Sequence, residues 1–234
     1  MVADTRPAQD FIAIAAHELR APLAGLRAHA EVARHATTPR QLAEALDAVM
    51  QGVDRAAHLL EQLLDTARID SLVQEPSLAR ASFATVALHD VLRLVLGDIG
   101  VDLASRGASV DAELGATTVH GVAFGIEMLL RNLLRNAVLH TPAGGHVHVR
   151  SAPGEQGGVV LEVDDAGPGI PPALRARVFE PFYRGDGETA KGCGLGLSIV
   201  QAVARVHVAR IELLDAPAGG LRVRIEFPPP PQAV

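Results

Sequence analysis

The chain has 234 residues, long for one small domain and short for three, and 48% of them are hydrophobic, so two compact domains with real cores are expected. Aromatic residues make up 3% with no Trp, and the formal net charge is -6, which excludes a base-stacking platform or a nucleic-acid groove as the main activity. The single cysteine, Cys193, excludes an internal disulfide and fits a reducing cytosol; no apolar run is long enough to span a bilayer and no leader is evident, which leaves a soluble protein or the cytoplasmic piece of a longer one.

The first third is helical by pattern. Ile12, Ala16, Leu19, Leu23, Leu26, Ala30 and Ala33 recur at alternating four- and three-residue steps. Leu42, Leu46, Val49, Val53, Ala56, Leu60, Leu63 and Ala67 do the same. Between the two segments, HATTPRQ offers Thr38 as an N-cap, Pro39 at the first helical position and Gln41 to close a capping box. So short a connection makes the helices antiparallel neighbours. Two helices alone bury such wide apolar stripes poorly; a four-helix bundle built from two copies covers them, so a homodimer is expected.

Within IAAHELRAPLAGL, His17 and Glu18 each fall roughly 130° from the centre of the Ala16/Leu19 stripe, on opposite sides. Both are expected outside the seam. An isolated His-Glu pair on a helix is ordinary surface, but Pro22 deletes the hydrogen bond to the carbonyl of Glu18, at a cost of about 3 kcal/mol in an ordinary helix interior. A bent turn beside an exposed imidazole points to a site.

From about Glu75 the heptads stop. QEPSLARASF reads as a linker running into a strand, VALHDVLRLVLGDI and GVAFGIEMLLRNLLRNAVLHT as helices, and GHVHVRSA with GGVVLEVDD as a hairpin. LGLSIVQAVARVH is a further helix, ARIELLDA with GLRVRIEF a second hairpin, and Pro228 to Pro231 ends the fold. Helices on one side of a mixed or mostly antiparallel sheet make an α+β layer arrangement. The remaining histidines, including those of HVHV, are expected at the surface, and Arg131 and Arg135 on a solvated face or against a lid.

DDAGPGI and GCGLGLSIV place small residues where backbone can approach a ligand, the second just before a helix whose first amides favour anions. The spacing fails the dinucleotide fingerprint, because Leu197 stands where the third glycine belongs, and no Lys-Ser/Thr ending marks a P-loop.

HELRAPL, NLLRNA, DAGPGI, VFEPFYR and GCGLGL, in that order, resemble the H, N, G1, F and G2 boxes of bacterial sensor histidine kinases. The resemblance covers nearly the whole chain. It implies a dimerisation and histidine-phosphotransfer hairpin at 1–72, a linker at 73–80, a Bergerat-type ATP-binding α+β sandwich at 81–230 and a tail at 231–234. It makes His17 the phosphoacceptor, with Glu18 accepting the proton of the other ring nitrogen. Asn136 would coordinate Mg²⁺, with Asn132 beside it one helical turn away. Asp165 would accept the adenine amino group, Gly167 and Gly169 would keep the turn slim, and His140 would stack on the base. Phe179, Phe182 and Tyr183 would anchor a lid at 184–193, with Arg184 and Lys191 at its ends. Gly192, Gly194, Leu195 and Gly196 would lie by the phosphates. The H-box spelling looks most like kinases paired with winged-helix regulators, so the partner implied is the receiver domain of a response regulator. The hydrolytic relatives carry a glutamate where Asn132 stands, and without that base transfer to histidine is favoured over hydrolysis.

Four positions depart from the family pattern. Leu139 and His140 replace the usual lysine and tyrosine, Ala166 replaces a common asparagine, and Ala21 replaces the Thr, Ser or Asn that orients the dephosphorylating water. Weak phosphatase activity is therefore expected. The missing lysine keeps one alternative open, a dimeric nucleotide-binding signalling scaffold with little kinase activity.

Overall fold

The computed structural model describes residues 6–155, 157–185 and 193–231, with only the backbone of residues 6–14, 17 and 18. The chain divides into two compact units, residues 1–65 and 66–234.

The first unit is a helical hairpin of α1 (Arg6–Arg34) and α2 (Pro39–Gln74), the latter running on into the second unit. The turn closes as the sequence predicts. The Gln41 N–H donates to Thr38 Oγ1 at 3.2 Å, and Gln41 Oε1 accepts the N–H groups of Thr38 and Thr37 at 3.2 and 3.1 Å. These bonds satisfy donors that a helix start leaves over, together worth ~1 kcal/mol or more. Gly52 stands against Leu26, since a Cβ there would lie 2.8 Å from Leu26 Cδ2. Ala45, Gly52 and Leu59 are buried, whereas Leu42, Leu46, Val53 and Leu60, on the flank of the same stripe, are 42%, 49%, 46% and 51% exposed. One chain thus covers only part of its own apolar surface.

In the second unit the stretch expected as a linker is helical, because α2 continues to Gln74 and α3 (Pro76–Ala81) follows with proline in its first turn. A small antiparallel sheet joins β1 (Phe83–Ala87) to β3 (Thr118–Val122). The main sheet has the order β2 (Ser109–Leu114), β4 (His146–Pro153), β5 (Val159–Asp164), β7 (Leu221–Phe227), β6 (Arg210–Asp215). Only β2 and β4 run parallel, so the sheet is mixed and mostly antiparallel, and both expected hairpins are present. Helices α4 (Leu88–Asp98), α6 (Ala123–His140) and α7 (Gly196–Val206) pack together over it. Val147, Val149, Leu161, Val163, Val223 and Ile225 are buried on the inner face, under Leu92, Val95, Ile126, Leu129, Ile199 and Val203 of the helices.

The outer face is charged. Across the sheet Glu113, Arg150, Glu162, Arg224 and Glu212 stand in one register, alternating in sign. Arg150 lies 3.3 Å from Glu162, and Arg224 lies 3.8 Å from Glu162 and 3.4 Å from Glu212. Cross-strand pairs of opposite charge hold the register that the inner apolar face also demands.

Further expectations are corrected: Val86 and Ala87, expected to open a helix, belong to β1, so α4 begins at Leu88. Gly121 and Val122 belong to β3, so α6 begins at Ala123. The histidines are not all at the surface, since His207 is 2% exposed. Its Nε2 accepts the Val122 N–H at 2.9 Å and its Nδ1 donates to the Val203 carbonyl at 2.7 Å. The ring lies between Phe83 and Phe227, with centroids 5.2 and 5.8 Å away. A short helix, α5 (Gly100–Arg106), is new; it ends at Gly107, whose φ of 60° is left-handed.

Burial lowers the His207 pKa from 6.5, as does His120, against the opposing effect of the Val203 carbonyl. Protonation would also point a second N–H at the Val122 N–H. With the folded pKa depressed, the unfolded chain takes up the proton first, so this group's contribution is complete above about pH 6.5 and is lost as the pH falls below it. Thermal unfolding followed from pH 8 to pH 5 should show a falling midpoint. His207→Leu should flatten that dependence and cost about 1–3 kcal/mol at pH 8 through the stranded Val122 N–H.

Candidate active site

On α6, Asn132 and Asn136 sit one turn apart and face the start of α7. Asn132 is 4% exposed and donates through Nδ2 to the Met128 carbonyl at 2.9 Å. A Cβ on Gly196 would lie 2.9 Å from Asn136 Nδ2 and 3.4 Å from Asn132 Oδ1. The bare glycine lets the amide end of α7 come this close to both carboxamides. Leu195 precedes it with its side chain fully buried, so of the expected phosphate-side residues it can offer a ligand only backbone.

The neighbouring face of α6 is tied to α4 and α5. Arg131 pairs with Asp98 at 3.2 Å and with Glu127, Arg135 lies 4.0 Å from Asp102, and Arg106 Nη1 donates to the Leu139 carbonyl at 3.1 Å. Arg131 and Arg135 therefore reach across from α6 to acidic residues of α4 and α5. Residues 131, 135 and 139 meet 98, 102 and 106, a rung at every helical turn.

Asp165 lies just beyond the end of β5. Its N–H still donates to the Leu221 carbonyl at 2.9 Å, and its Oδ1 accepts the N–H groups of Gly167 at 2.8 Å and Leu221 at 3.1 Å. Among the described residues Oδ2 accepts no hydrogen bond. Burial raises the Asp165 pKa from 3.8, against the lowering effect of those two backbone N–H groups and of His140. The turn is slim by necessity. A Cβ on Gly167 would stand 2.9 Å from the His140 carbonyl oxygen, Gly169 has φ 70°, and a Cβ on Gly220 would collide with the Asp165 carbonyl. The Ala166 N–H donates to the buried Thr141 Oγ1 at 3.3 Å, so the C-terminal end of α6 and this turn form one surface. His140 is exposed on it.

Two short 3-10 turns, Pro172–Leu174 and Arg177–Phe179, follow. Arg175 ties them down, donating to the carbonyls of Ile170 and Leu213, each at 3.0 Å, and to Asp215. The Phe182 N–H donates to the Gly194 carbonyl at 2.9 Å, so the two ends of the expected lid are joined. Phe182 has φ 65°, a strained value for a side-chain-bearing residue, and Gly194 has φ 76°. Arg177 stacks on the Tyr183 ring at 4.5 Å, and Arg184 is exposed. Lys191 and Gly192 lie outside the described residues.

His17 and Glu18 lie in α1 with Pro22 one turn on, and their side chains are outside the described residues. Sequence reasoning missed Thr141, Arg175, Gly220, Leu221 and Arg222. The paired glycines of AGGL, both at positive φ, were the one available signal. No group of three His, Cys, Asp or Glu among the described residues could hold a metal, so an ion here would take most ligands from phosphate and water, as Mg²⁺ does.

Residues 8–72 match the His Kinase A (phospho-acceptor) domain, and residues 121–231 match the histidine kinase-, DNA gyrase B- and HSP90-like ATPase. Sensor protein QseC of Escherichia coli (strain K12) is 36% identical over 220 residues, 93% of this chain and 47% of that protein. The chain thus spans about half the length of the curated relatives it matches. The solved mycobacterial sensor histidine kinase MprB is 30% identical with a TM-score of 0.55, over 64% of this chain and 99% of that one. Full-length ShkA, solved in complex with AMPPNP, is 26% identical with a TM-score of 0.64, over 97% of this chain and 47% of that one. With a phospho-acceptor hairpin followed by this ATPase fold, the chain belongs to the bacterial sensor histidine kinases.

Proposed function

We propose that this chain is the dimeric catalytic core of a sensor kinase that phosphorylates its own His17 from Mg²⁺-ATP and passes the phosphoryl group to an aspartate of a response regulator. The observation that carries the nucleotide half is Asp165: with Oδ1 taken by two backbone N–H groups, Oδ2 is left to accept from an exocyclic amine such as that of adenine. An oxo group in that place would meet the carboxylate with no proton between them, which favours ATP over GTP. The AMPPNP complex of ShkA supports the same reading.

His140 would cover the base, the carboxamides of Asn132 and Asn136 would line the phosphates, and the first amides of α7 would face their charge. Asn136 would hold Mg²⁺ through its carboxamide oxygen, and the ion would neutralise phosphate charge. Arg184, Lys191 and Gly192 would close the site as part of a lid over residues 184–193. In the transfer itself one ring nitrogen of His17 attacks the γ-phosphorus, the bond to the bridging oxygen breaks, and ADP leaves. Glu18 takes the proton of the other ring nitrogen, which keeps the attacking one nucleophilic. The regulator implied is of the winged-helix type; no described helix is long and apolar enough to cross a bilayer.

The exposed flank of Leu42, Leu46, Val53 and Leu60 supports the homodimer, because a second hairpin would cover it.

Incubation with γ-labelled ATP and Mg²⁺ should give an acid-labile, base-stable label that His17→Gln abolishes; no label at millimolar ATP would overturn the kinase reading. The chain should sediment as a dimer, and Leu46→Glu with Leu60→Glu should weaken association on the order of a hundredfold. Phosphatase activity toward the cognate regulator should be weak and should rise in Ala21→Thr.

A further inference from the structure

The charged outer face of the sheet reaches the nucleotide turn at one point, Arg222. Side chains alternate along β5, so Asp164 points to the outer face and Asp165 to the helix side. Arg222, opposite Asp164 in the β5–β7 register, grips its carboxylate in both arms: Nε to Oδ1 at 2.7 Å and Nη2 to Oδ2 at 2.7 Å. The pair is well covered, with side-chain exposures of 17% and 10%. Arg150 adds a contact to Asp164 Oδ2 at 3.2 Å, and Arg222 Nη1 lies 3.6 Å from Glu162.

A two-point grip fixes the plane of a carboxylate and therefore the backbone that carries it. Asp164 is the last residue of β5, and the next residue exchanges its hydrogen bonds with Leu221, the residue directly before Arg222. Leu221 thus holds Asp165 through main chain while Arg222 holds Asp164 through side chain. Charge acts in the same direction. The Asp164 carboxylate repels that of Asp165, and the Arg222 guanidinium offsets it.

We propose that Arg222 is a positioning residue for nucleotide recognition, gripping Asp164 from the outer face so that Asp165 presents Oδ2 as an ionised acceptor to the amino group of the base. The assignment rests on the adenine reading of Asp165 above. It does not need Arg222 for folding, because the backbone ladder and the Arg224–Glu162–Arg150 rung remain without it.

The test is displacement of a fluorescent nucleotide from the whole chain by ATP and by purine riboside 5′-triphosphate, which lacks the amino group. The wild type should prefer ATP by on the order of tenfold, the value of one charged hydrogen bond. Arg222→Met should bring that ratio within about threefold of unity while purine riboside 5′-triphosphate binds nearly as before, and Arg222→Lys should fall between. A general loss of structure would weaken both nucleotides alike. An unchanged ratio in Arg222→Met overturns the proposal. Should that variant fail to fold, Asp164→Asn keeps the shape and weakens the grip; the same collapse of the ratio is expected, and its retention is equally decisive against. A wild type without preference, or a preference that survives Asp165→Asn, overturns the adenine reading itself and the role of Arg222 with it.

Discussion

The exchange of hydrogen bonds between Asp165 and Leu221 holds the chain at the point where β5 leaves the sheet, and much of the site follows from it. One rung beyond the regular ladder, the Asp165 backbone is still paired while its side chain turns back to accept from Leu221 and Gly167. That geometry leaves no room for a Cβ at Gly220 and forces Gly167 against the carbonyl of His140. The turn must therefore lie on the C-terminal end of α6, where Thr141 receives it. Asn136 and Asn132 stand one and two turns back along that helix, so a single strand end places the acidic acceptor and the two carboxamides on one surface.

A second constraint acts from the other side. α7 can approach the asparagines only because Gly196 is bare, and the chain entering α7 is tied to the F box by the Phe182–Gly194 bond. Phe182 holds a left-handed φ there, which costs about 1–3 kcal/mol and persists only where the surroundings over-determine it. The stacked Arg177–Tyr183 pair and the three donors of Arg175 are those surroundings. The Phe182–Gly194 bond therefore joins two chain positions that are held in place.

Periodic features were legible in the sequence; features made by distant residues were not. The heptads of α1 and α2, the capping box at Thr38 and the two hairpins are local, and each is written in a few adjacent residues. The strand–helix boundary at Val122 was missed because it depends on the ring of His207, far along the chain. His207 itself carries no local mark of burial. α5 and β2 are amphipathic only weakly, and their places come from Arg106 bonding to Leu139 and from β2 lying parallel to β4. In the candidate site, Asn132, Asn136, Asp165 and the glycines stand within local motifs, whereas Leu221, Arg222 and Arg175 act across the sheet.

Leu139 stands in the last turn of α6. Where the family has a lysine, this chain has a half-buried leucine whose carbonyl is held by Arg106. The position lies on the α5-facing side of α6, in line with Arg131 and Arg135, which approach Asp98 and Asp102. That side of the helix packs on α4 and α5, and in the proposed function the asparagine side faces the ligand. In the proposed site the lost lysine would be a lost phosphate contact, while the hydrogen bonds that set Asp165 and Asn132 do not involve Leu139. The proposed nucleotide site without that cation would still have Asp165 as base acceptor, the two carboxamides and the amide end of α7, the set that the proposed kinase chemistry draws on.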